Sequence, residues 1–218
     1  MESPKFYVVR NEPRPDHQFH CDAVSSYFPA AEEVDFPAGE RFVATDADAV
    51  VLTGSSAGVY ETETHPWIDE EEALVREIVS QGIPLLGVCF GHQIVNSALG
   101  GTVNHVGMTA GLVNAELKDN PLFDGVDSVV PAIHEDAVTE IGDNLNGIAT
   151  ANHSEIFGTH HRTKPVWTVQ FHPEIDEASL EHLVENVAWD AGSYSFKRVT
   201  ADLVFENFKT QVIGPYQV

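Results

Sequence analysis

The chain has 218 residues, of which 43% are hydrophobic, and it carries 34 acidic against 11 basic side chains, a formal charge of −23. This length suits one α/β domain with a sizeable core. The acidic excess argues against direct binding to nucleic acid, which needs a basic surface, and no apolar run is long enough to span a bilayer.

Short apolar segments alternate with helical patterns along the first half of the chain. Strands are predicted over 6–9, 49–53 and 84–88, and helices over 16–28, 67–81 and 92–99. The second helix is the clearest, since its apolar positions follow a helical period and Gly82 stands where the helix should end.

The second half is richer in short β-like segments. They lie at 102–106, 112–117, 129–132, 148–151 and 166–171, and a helix over 178–188 follows them. Strands alternating with helices predict an α/β fold with a flavodoxin-like, open and mostly parallel sheet covered by helices on both faces. We expect one domain over 1–192, followed by a helical extension over 193–218 that packs on the domain or on a partner.

The segment Gly87-Val88-Cys89-Phe90-Gly91 joins a predicted strand to a predicted helix. This is the thiol counterpart of the nucleophile elbow, a sharp turn that exposes the central side chain. The flanking glycines suit the turn because it leaves no room for a Cβ. The start of the following helix favours a thiolate and offers N–H groups to an oxyanion. The pattern indicates a nucleophilic Cys89, with a structural cysteine in a tight turn as the alternative.

A second segment, Gln170-Phe171-His172-Pro173-Glu174, ends the last predicted strand. Pro173 favours an extended His172, and residues two apart on extended chain point to the same side. His172 and Glu174 can therefore face one cavity, where the carboxylate orients the imidazole that a catalytic cysteine needs. Taken alone, this motif could equally be a surface turn. Both motifs lie at carboxyl ends of strands, where open α/β sheets place their sites.

Together, Gly-Val-Cys-Phe-Gly-His-Gln over 87–93 and Gln-Phe-His-Pro-Glu over 170–174 resemble the class I glutamine amidotransferases. The resemblance is strongest to the amidotransferase domain of GMP synthetases and their stand-alone relatives. It implies that Cys89 attacks the side-chain amide of glutamine, releasing ammonia and leaving a γ-glutamyl thioester that water hydrolyses. His172 would be the general base and acid and Glu174 its orienting group, and no cofactor is implied.

The resemblance also implies an oxyanion hole. Gly54 corresponds to the first residue of the family's Gly-Gly-Pro turn, whereas Ser55 and Ser56 replace the next two residues. A backbone N–H can donate whatever side chain it carries, so Gly54 and Ser55 remain candidates, together with the N–H of Phe90.

Three further residues are candidates for binding substrate. Gln93 matches a family residue that holds glutamine, although a capping role in its helix is equally simple. His134 and Asp136 belong to a His-Glu-Asp-Ala-Val segment that resembles one lining the glutamine pocket, with a surface loop as the alternative. The chain departs from true GMP synthetases at 108–110, where relatives often carry a glutamate before the glycine that corresponds to Gly111.

The other histidines do not predict a metal site. His17, His20 and Cys21 are closely spaced, but His160 and His161 are adjacent on a strand and point to opposite faces. No Cys-x-x-Cys or His-Glu-x-x-His pattern occurs, so we expect solvated histidines. The glycine-rich segment 54–58 has no lysine, so it does not predict a phosphate-binding loop.

Three functional hypotheses remain. The first is an amidotransferase that supplies ammonia to a separate synthetase, such as a GMP synthetase subunit, since the chain after Glu174 is too short for a synthetase domain. The second is a self-sufficient hydrolase or peptidase of γ-glutamyl compounds with the same triad. The third is a regulatory module without turnover, against which the intact Cys89, His172 and Glu174 argue.

The N-terminal sequence and the charge distribution bear on the cellular setting. No basic segment precedes an apolar core, so we expect no signal peptide and a cytoplasmic protein. The acidic residues are spread along the chain, as in cytoplasmic proteins of organisms that accumulate salt, because screening weakens self-repulsion. An ordinary acidic protein is the alternative.

Overall fold

The computed structural model describes residues 4–180, 183–184 and 187–214. The strands are β1 Phe6–Arg10, β2 Glu32–Asp35, β3 Ala49–Leu52, β4 Leu85–Val88, β5 Thr102–Leu117, β6 Val129–Glu140, β7 Leu145–Ala151, β8 Ser154–His161 and β9 Val166–Val169. The helices are α1 Phe19–Ser26, α2 Trp67–Gln81, α3 Phe90–Ala98 and α4 Leu203–Ile213.

All nine strands join one sheet in the order β2-β1-β3-β4-β9-β8-β7-β5-β6. The first five in this order pair in parallel, and the remaining pairings are antiparallel. Every residue of β3, β4 and β9 is buried, as expected for parallel strands covered on both faces. The predicted α/β fold is confirmed, with an antiparallel extension on one side.

Two core clusters lie on opposite faces of the sheet. On one face, Val8, Val51 and Leu86 pack with residues of α1 and α4. On the other face, the alternating neighbours of these residues pack with α2 and α3. This alternation follows from the twofold period of a strand, which sends successive side chains to opposite faces.

The predicted elements agree best with the structure where the hydrophobic pattern of the sequence is strong. Helix α2 has the predicted bounds and ends at Gly82, whose φ of 73° is readily adopted by glycine. Helix α1 is shorter than predicted, because a 3₁₀ turn over Pro15–His17 precedes it. The two segments predicted at 102–106 and 112–117 form the single strand β5, which has an irregular register between His105 and Thr109.

Strands β2 and β8 were missed. β2 is the edge strand Glu-Glu-Val-Asp, in which only the valine is buried, so it carries little hydrophobic signal. Its acidic side chains suit an edge strand, because they discourage pairing with another chain.

Helix α4 packs on the core cluster that contains Val8, Val51 and Leu86. Val204, Phe205, Phe208 and Val212 are buried beside α1 and β9, whereas the residues from 193 to 202 form no α-helix. The domain boundary at 192 stays a prediction. The predicted helix over 178–188 lies partly outside the described residues, and a 3₁₀ turn covers Glu177–Ser179. Among the described helices, none is long and apolar enough to cross a membrane.

Candidate active site

The turn between β4 and α3 presents Cys89 in a strained conformation. Cys89 has φ 53° and ψ −102°, a region that a residue with a side chain rarely occupies and that the surrounding structure must enforce. A Cβ on Gly91 would lie 2.6 Å from the carbonyl oxygen of Leu52, and one on Gly87 would collide with the carbonyl of Gly91. Only glycine fits at both positions, as the elbow pattern predicts.

The structure brings His172 and Glu174 to this turn. His172 Nδ1 lies 2.6 Å from Glu174 Oε1, and both side chains are buried. His172 Nε2 lies 3.0 Å from the carbonyl oxygen of Ile133, and the Cys89 thiol donates to the same oxygen at 3.5 Å. The thiol and the imidazole thus meet at one backbone carbonyl of β6.

The surroundings of His172 favour its charged form. Burial acts to lower its pKa, but the Glu174 carboxylate and the Cys89 sulfur outweigh this effect and raise the pKa of His172 well above its usual value. Both ring nitrogens face oxygen atoms, which is the arrangement expected of an imidazolium, because it donates from both nitrogens.

The loop after β3 lies beside the same cysteine. The N–H of Ser56 donates to Glu12, and the N–H of Ala57 donates to the Ser55 hydroxyl. In the part of the chain that the structure describes, the N–H groups of Ser55 and Phe90 have no protein acceptor. They are therefore free to donate to a substrate oxygen, as an oxyanion hole requires.

Two cavities adjoin Cys89. The larger has a volume of about 350 Å³ and is lined by Gln93, Met108, His134 and Asp136. The smaller, of about 120 Å³, lies on the side of Phe19, His20, His172 and Ile175. Cys89 thus lines both cavities.

The three predicted substrate-binding residues share the larger cavity. Gln93 does not cap its helix: its Nε2 donates to the Asp136 carbonyl at 3.0 Å. His134 Nδ1 donates to that same carbonyl at 2.9 Å, and burial lowers the pKa of His134 to about 4, so its ring is neutral. The Asp136 carboxylate accepts from the Tyr60 hydroxyl at 2.9 Å.

The expectation of solvated histidines was wrong for His20 and His161. Both are buried: His161 Nδ1 accepts two backbone N–H groups, and His20 lies near Glu12. His160 stacks on Trp167 at 4.9 Å between ring centroids. No cluster of three metal-ligating side chains occurs within 4–180, 183–184 and 187–214.

Sequence reasoning missed Glu12 as a site residue. Glu12 lies two residues after β1, at the carboxyl edge of the parallel strands, which is its one local signal. It has no motif or characteristic spacing that links it to Ser56 or His20.

This geometry agrees with the comparison to protein families. A family model described as glutamine amidotransferase class-I matches residues 18–191. The chain belongs to the class I glutamine amidotransferase family.

Its relatives include enzymes named glutamine-hydrolysing GMP synthase. The Clostridium novyi protein is 26% identical over 200 residues, which cover 85% of this chain and 36% of that protein. The Allorhizobium ampelinum protein is 30% identical over 83% of this chain and 36% of that protein. A protein named as a subunit of glutamine-hydrolysing GMP synthase, from Methanothermobacter thermautotrophicus, is 25% identical over 81% of this chain and 92% of its own length. The chain thus spans about a third of the longer relatives and nearly all of the shorter one.

Solved structures share the fold. A glutamine amidotransferase from Thermotoga maritima superposes with a TM-score of 0.74 at 21% identity, and each chain is covered completely. A putative GMP synthase subunit from Thermoplasma acidophilum has a TM-score of 0.72 at 20% identity, and the match covers all of this chain and 97% of that one. Identities this low establish the common fold alone.

Proposed function

We propose that this protein releases ammonia from the side-chain amide of glutamine through a γ-glutamyl thioester on Cys89. The observation that carries the proposal is the meeting of Cys89 and the His172–Glu174 pair at the Ile133 carbonyl. A nucleophile, a base and an orienting carboxylate in contact are the parts that cysteine acyl transfer requires.

Each of these residues has a step in the reaction. The thiol proton of Cys89 passes to His172, which gives the charged form of the ring that its surroundings favour. The sulfur of Cys89 then attacks the amide carbon, whose oxygen becomes negative and accepts the N–H groups of Ser55 and Phe90. His172 then gives its proton to the amide nitrogen, the C–N bond breaks and ammonia leaves. Water, deprotonated by His172, attacks the thioester carbon and releases glutamate, while the proton returns to the sulfur.

The larger cavity is the proposed glutamine site. It opens onto Cys89 and presents Gln93, His134 and Asp136. The side-chain oxygen of Gln93 is an uncharged acceptor, and Asp136 provides an anion for the α-amino group of an amino acid. His134 supports this wall of the cavity, because its ring nitrogens contact the Asp136 carbonyl and His153.

We further propose that the ammonia passes to a separate synthetase. One relative is named as a subunit of GMP synthase and matches over 92% of its length, whereas matched longer relatives continue well beyond the shared region. The amide nitrogen leaves on the His172 side of the nucleophile, where the smaller cavity lies.

One observation favours a second candidate function. The smaller cavity has a volume of about 120 Å³. This volume is several times the roughly 15 Å³ that one water molecule needs. An amine larger than ammonia could leave through it, as in the hydrolysis of substituted γ-glutamyl amides.

The first test measures glutamate release from glutamine in molar KCl for the wild-type chain, Cys89→Ala and, as a matched control, Cys21→Ala. Both cysteines are free and buried, but Cys21 has no step in the proposed reaction. We expect wild-type turnover, loss of turnover only in Cys89→Ala, and a γ-glutamyl adduct on Cys89 by mass spectrometry.

The other outcomes separate the two candidate functions. Activity that persisted in Cys89→Ala would overturn the mechanism. Wild-type turnover of γ-glutamyl amides at rates equal to or above that of glutamine would favour the second function, whereas stimulation of a weak glutaminase by a separate synthetase would favour the first.

A further inference from the structure

A second histidine–carboxylate pair lies beside the nucleophile. Glu12, in the loop after β1, is 1% exposed and His20, on α1, is 8% exposed. His20 Nε2 lies 3.3 Å from Glu12 Oε2. Both side chains line the smaller cavity together with Cys89 and His172, and neither has a step in the reaction described above.

Glu12 holds the loop that follows β3. One carboxylate oxygen accepts the backbone N–H of Ser56 at 2.7 Å, and the other accepts the Ser56 hydroxyl at 2.7 Å. The backbone N–H of Arg14 donates to Glu12 at 2.8 Å, which orients the carboxylate from its own loop. Ser56 directly follows Ser55, which lines both cavities beside Cys89 and whose N–H has no protein acceptor among the described residues. Glu12 therefore fixes the backbone next to this candidate donor.

His20 packs against the same loop from within the cavity. A Cβ on Gly54 would lie 3.4 Å from His20 Nδ1 and 3.3 Å from His172 Cε1. The rings of His20 and His172 are 6.4 Å apart between centroids. Gly54 thus lies between two histidines, and a Cβ at this position would require a small shift of the His172 ring.

Charge supports the pairing. Burial acts to lower the pKa of His20, but its contacts with Cys21 and Glu12 outweigh burial and raise this pKa to about 9. Burial acts to raise the pKa of Glu12, but its hydrogen bonds with His20, Ser56 and Arg14 outweigh burial and lower it. Both groups are therefore ionised at neutral pH, and each offsets the cost of burying the other's charge.

We propose that Glu12 and His20 are positioning residues for the oxyanion hole: Glu12 fixes Ser56 so that the Ser55 N–H points at the reacting oxygen, and His20 balances the charge of Glu12. This inference rests on the proposed glutaminase function. The substrate amide is neutral and its oxygen becomes charged only during reaction, so the pair acts on the transition state more than on substrate binding.

The test compares Glu12→Gln and Ser56→Ala with the wild type in the glutaminase assay. A glutamine at position 12 keeps one acceptor oxygen but turns an NH₂ group towards donors, so one of the hydrogen bonds between Ser56 and residue 12 is lost. We expect kcat to fall about 10- to 100-fold, since loss of a whole oxyanion donor costs about 100- to 1000-fold, with KM changed by less than about threefold. Ser56→Ala, which keeps its N–H, should lower kcat only severalfold.

A double variant shows whether Glu12 acts through Ser56. If it does, Ser56→Ala should cost less in the Glu12→Gln background than in the wild type, because the contact is already lost. Glu71→Gln is the matched control for replacing a buried glutamate. Burial raises the pKa of Glu71 to about 8, so its neutral carboxyl resembles the amide, and kcat should stay near wild type.

Several results would overturn the inference. These are a wild-type kcat in Glu12→Gln, a change in KM alone, or equal losses in Glu12→Gln and Glu71→Gln. Additive losses of Glu12→Gln and Ser56→Ala in the double variant would also count against the inference. Ser56 is exposed, so Ser56→Ala keeps the test valid if Glu12→Gln fails to fold. A wild-type protein without glutaminase activity would overturn the proposed function and this inference together, whereas an active wild type with an unaffected Glu12→Gln would overturn the inference alone.

Discussion

His172 has a distinct acceptor on each ring nitrogen. Glu174 lies on one side at 2.6 Å and the Ile133 carbonyl on the other at 3.0 Å. The ring is therefore held in one orientation, and its charged form is favoured over the neutral one. Because the folded-state pKa is raised, the contribution of this group to stability is complete below its unfolded pKa and is lost as the pH rises through the folded value.

The charge of Glu174 should set the pH dependence of turnover. In Glu174→Gln the amide no longer stabilises an imidazolium, so the pKa of His172 falls. We expect the alkaline limb of the kcat/KM profile to move to lower pH and kcat to fall about 100- to 10,000-fold.

Glu177→Gln, an exposed residue of the same loop, is the control and should keep the wild-type profile. An alkaline limb that stayed in place in Glu174→Gln would show that His172 does not titrate in the active form.

At the level of elements, α4 completes the core on one face of the sheet. The Phe208 ring lies 6.1 Å from that of Trp167 on β9 and 6.4 Å from that of Phe6 on β1. Phe208 is fully buried, as is Phe205 beside it. The apolar face of this helix is therefore covered by the chain's own strands.

Removing the Phe208 ring should destabilise the whole protein. We expect Phe208→Ala to lower the free energy of unfolding by about 3–5 kcal/mol, the usual cost of deleting a buried aromatic ring. Urea denaturation followed by circular dichroism would measure it.

Phe196→Ala provides the comparison within the same C-terminal region. Phe196 is only partly buried and stacks on Trp189 at 5.9 Å between centroids, so its loss should cost much less. Equal, small effects of the two substitutions would indicate that α4 does not stabilise the domain. Such a result would favour the alternative that α4 packs on a partner.

For the whole molecule, charge is the dominant feature. With a formal charge of −23, repulsion between acidic groups opposes the compact state, and dissolved salt screens it. We expect the melting temperature to rise by several degrees between about 0.1 and 2 M KCl.

A variant with Glu63→Gln, Glu116→Gln and Asp119→Asn tests the cause, since these three acids are exposed. Its melting temperature should depend less on KCl than that of the wild type. A melting temperature that stayed flat or fell with KCl would show that the acidic excess is not adapted to salt.

The sequence by itself determined the features that depend on neighbouring residues. The bounds of α2 follow from a helical apolar period and a terminal glycine, and the elbow at Cys89 follows from two glycines that the turn requires. The sequence also predicts the proximity of His172 and Glu174, which are two residues apart, but the structure places Pro173 and Glu174 in a turn, in which the Ile175 N–H donates to the His172 carbonyl, and not in extended chain. Each of these signals is local, because the interacting groups lie within a few residues of one another.

Only the tertiary structure decided which distant segments meet. The Ile133 carbonyl of β6 reaches Cys89 although four strands separate β6 from β4 in the strand order, and no local pattern encodes this approach. Glu12 meets Ser56, 44 residues away, and the same packing buries His20, for which the sequence predicts exposure to solvent. Charged side chains like these reveal their role only through their partners, since their burial is favourable once hydrogen bonds and an opposite charge replace water.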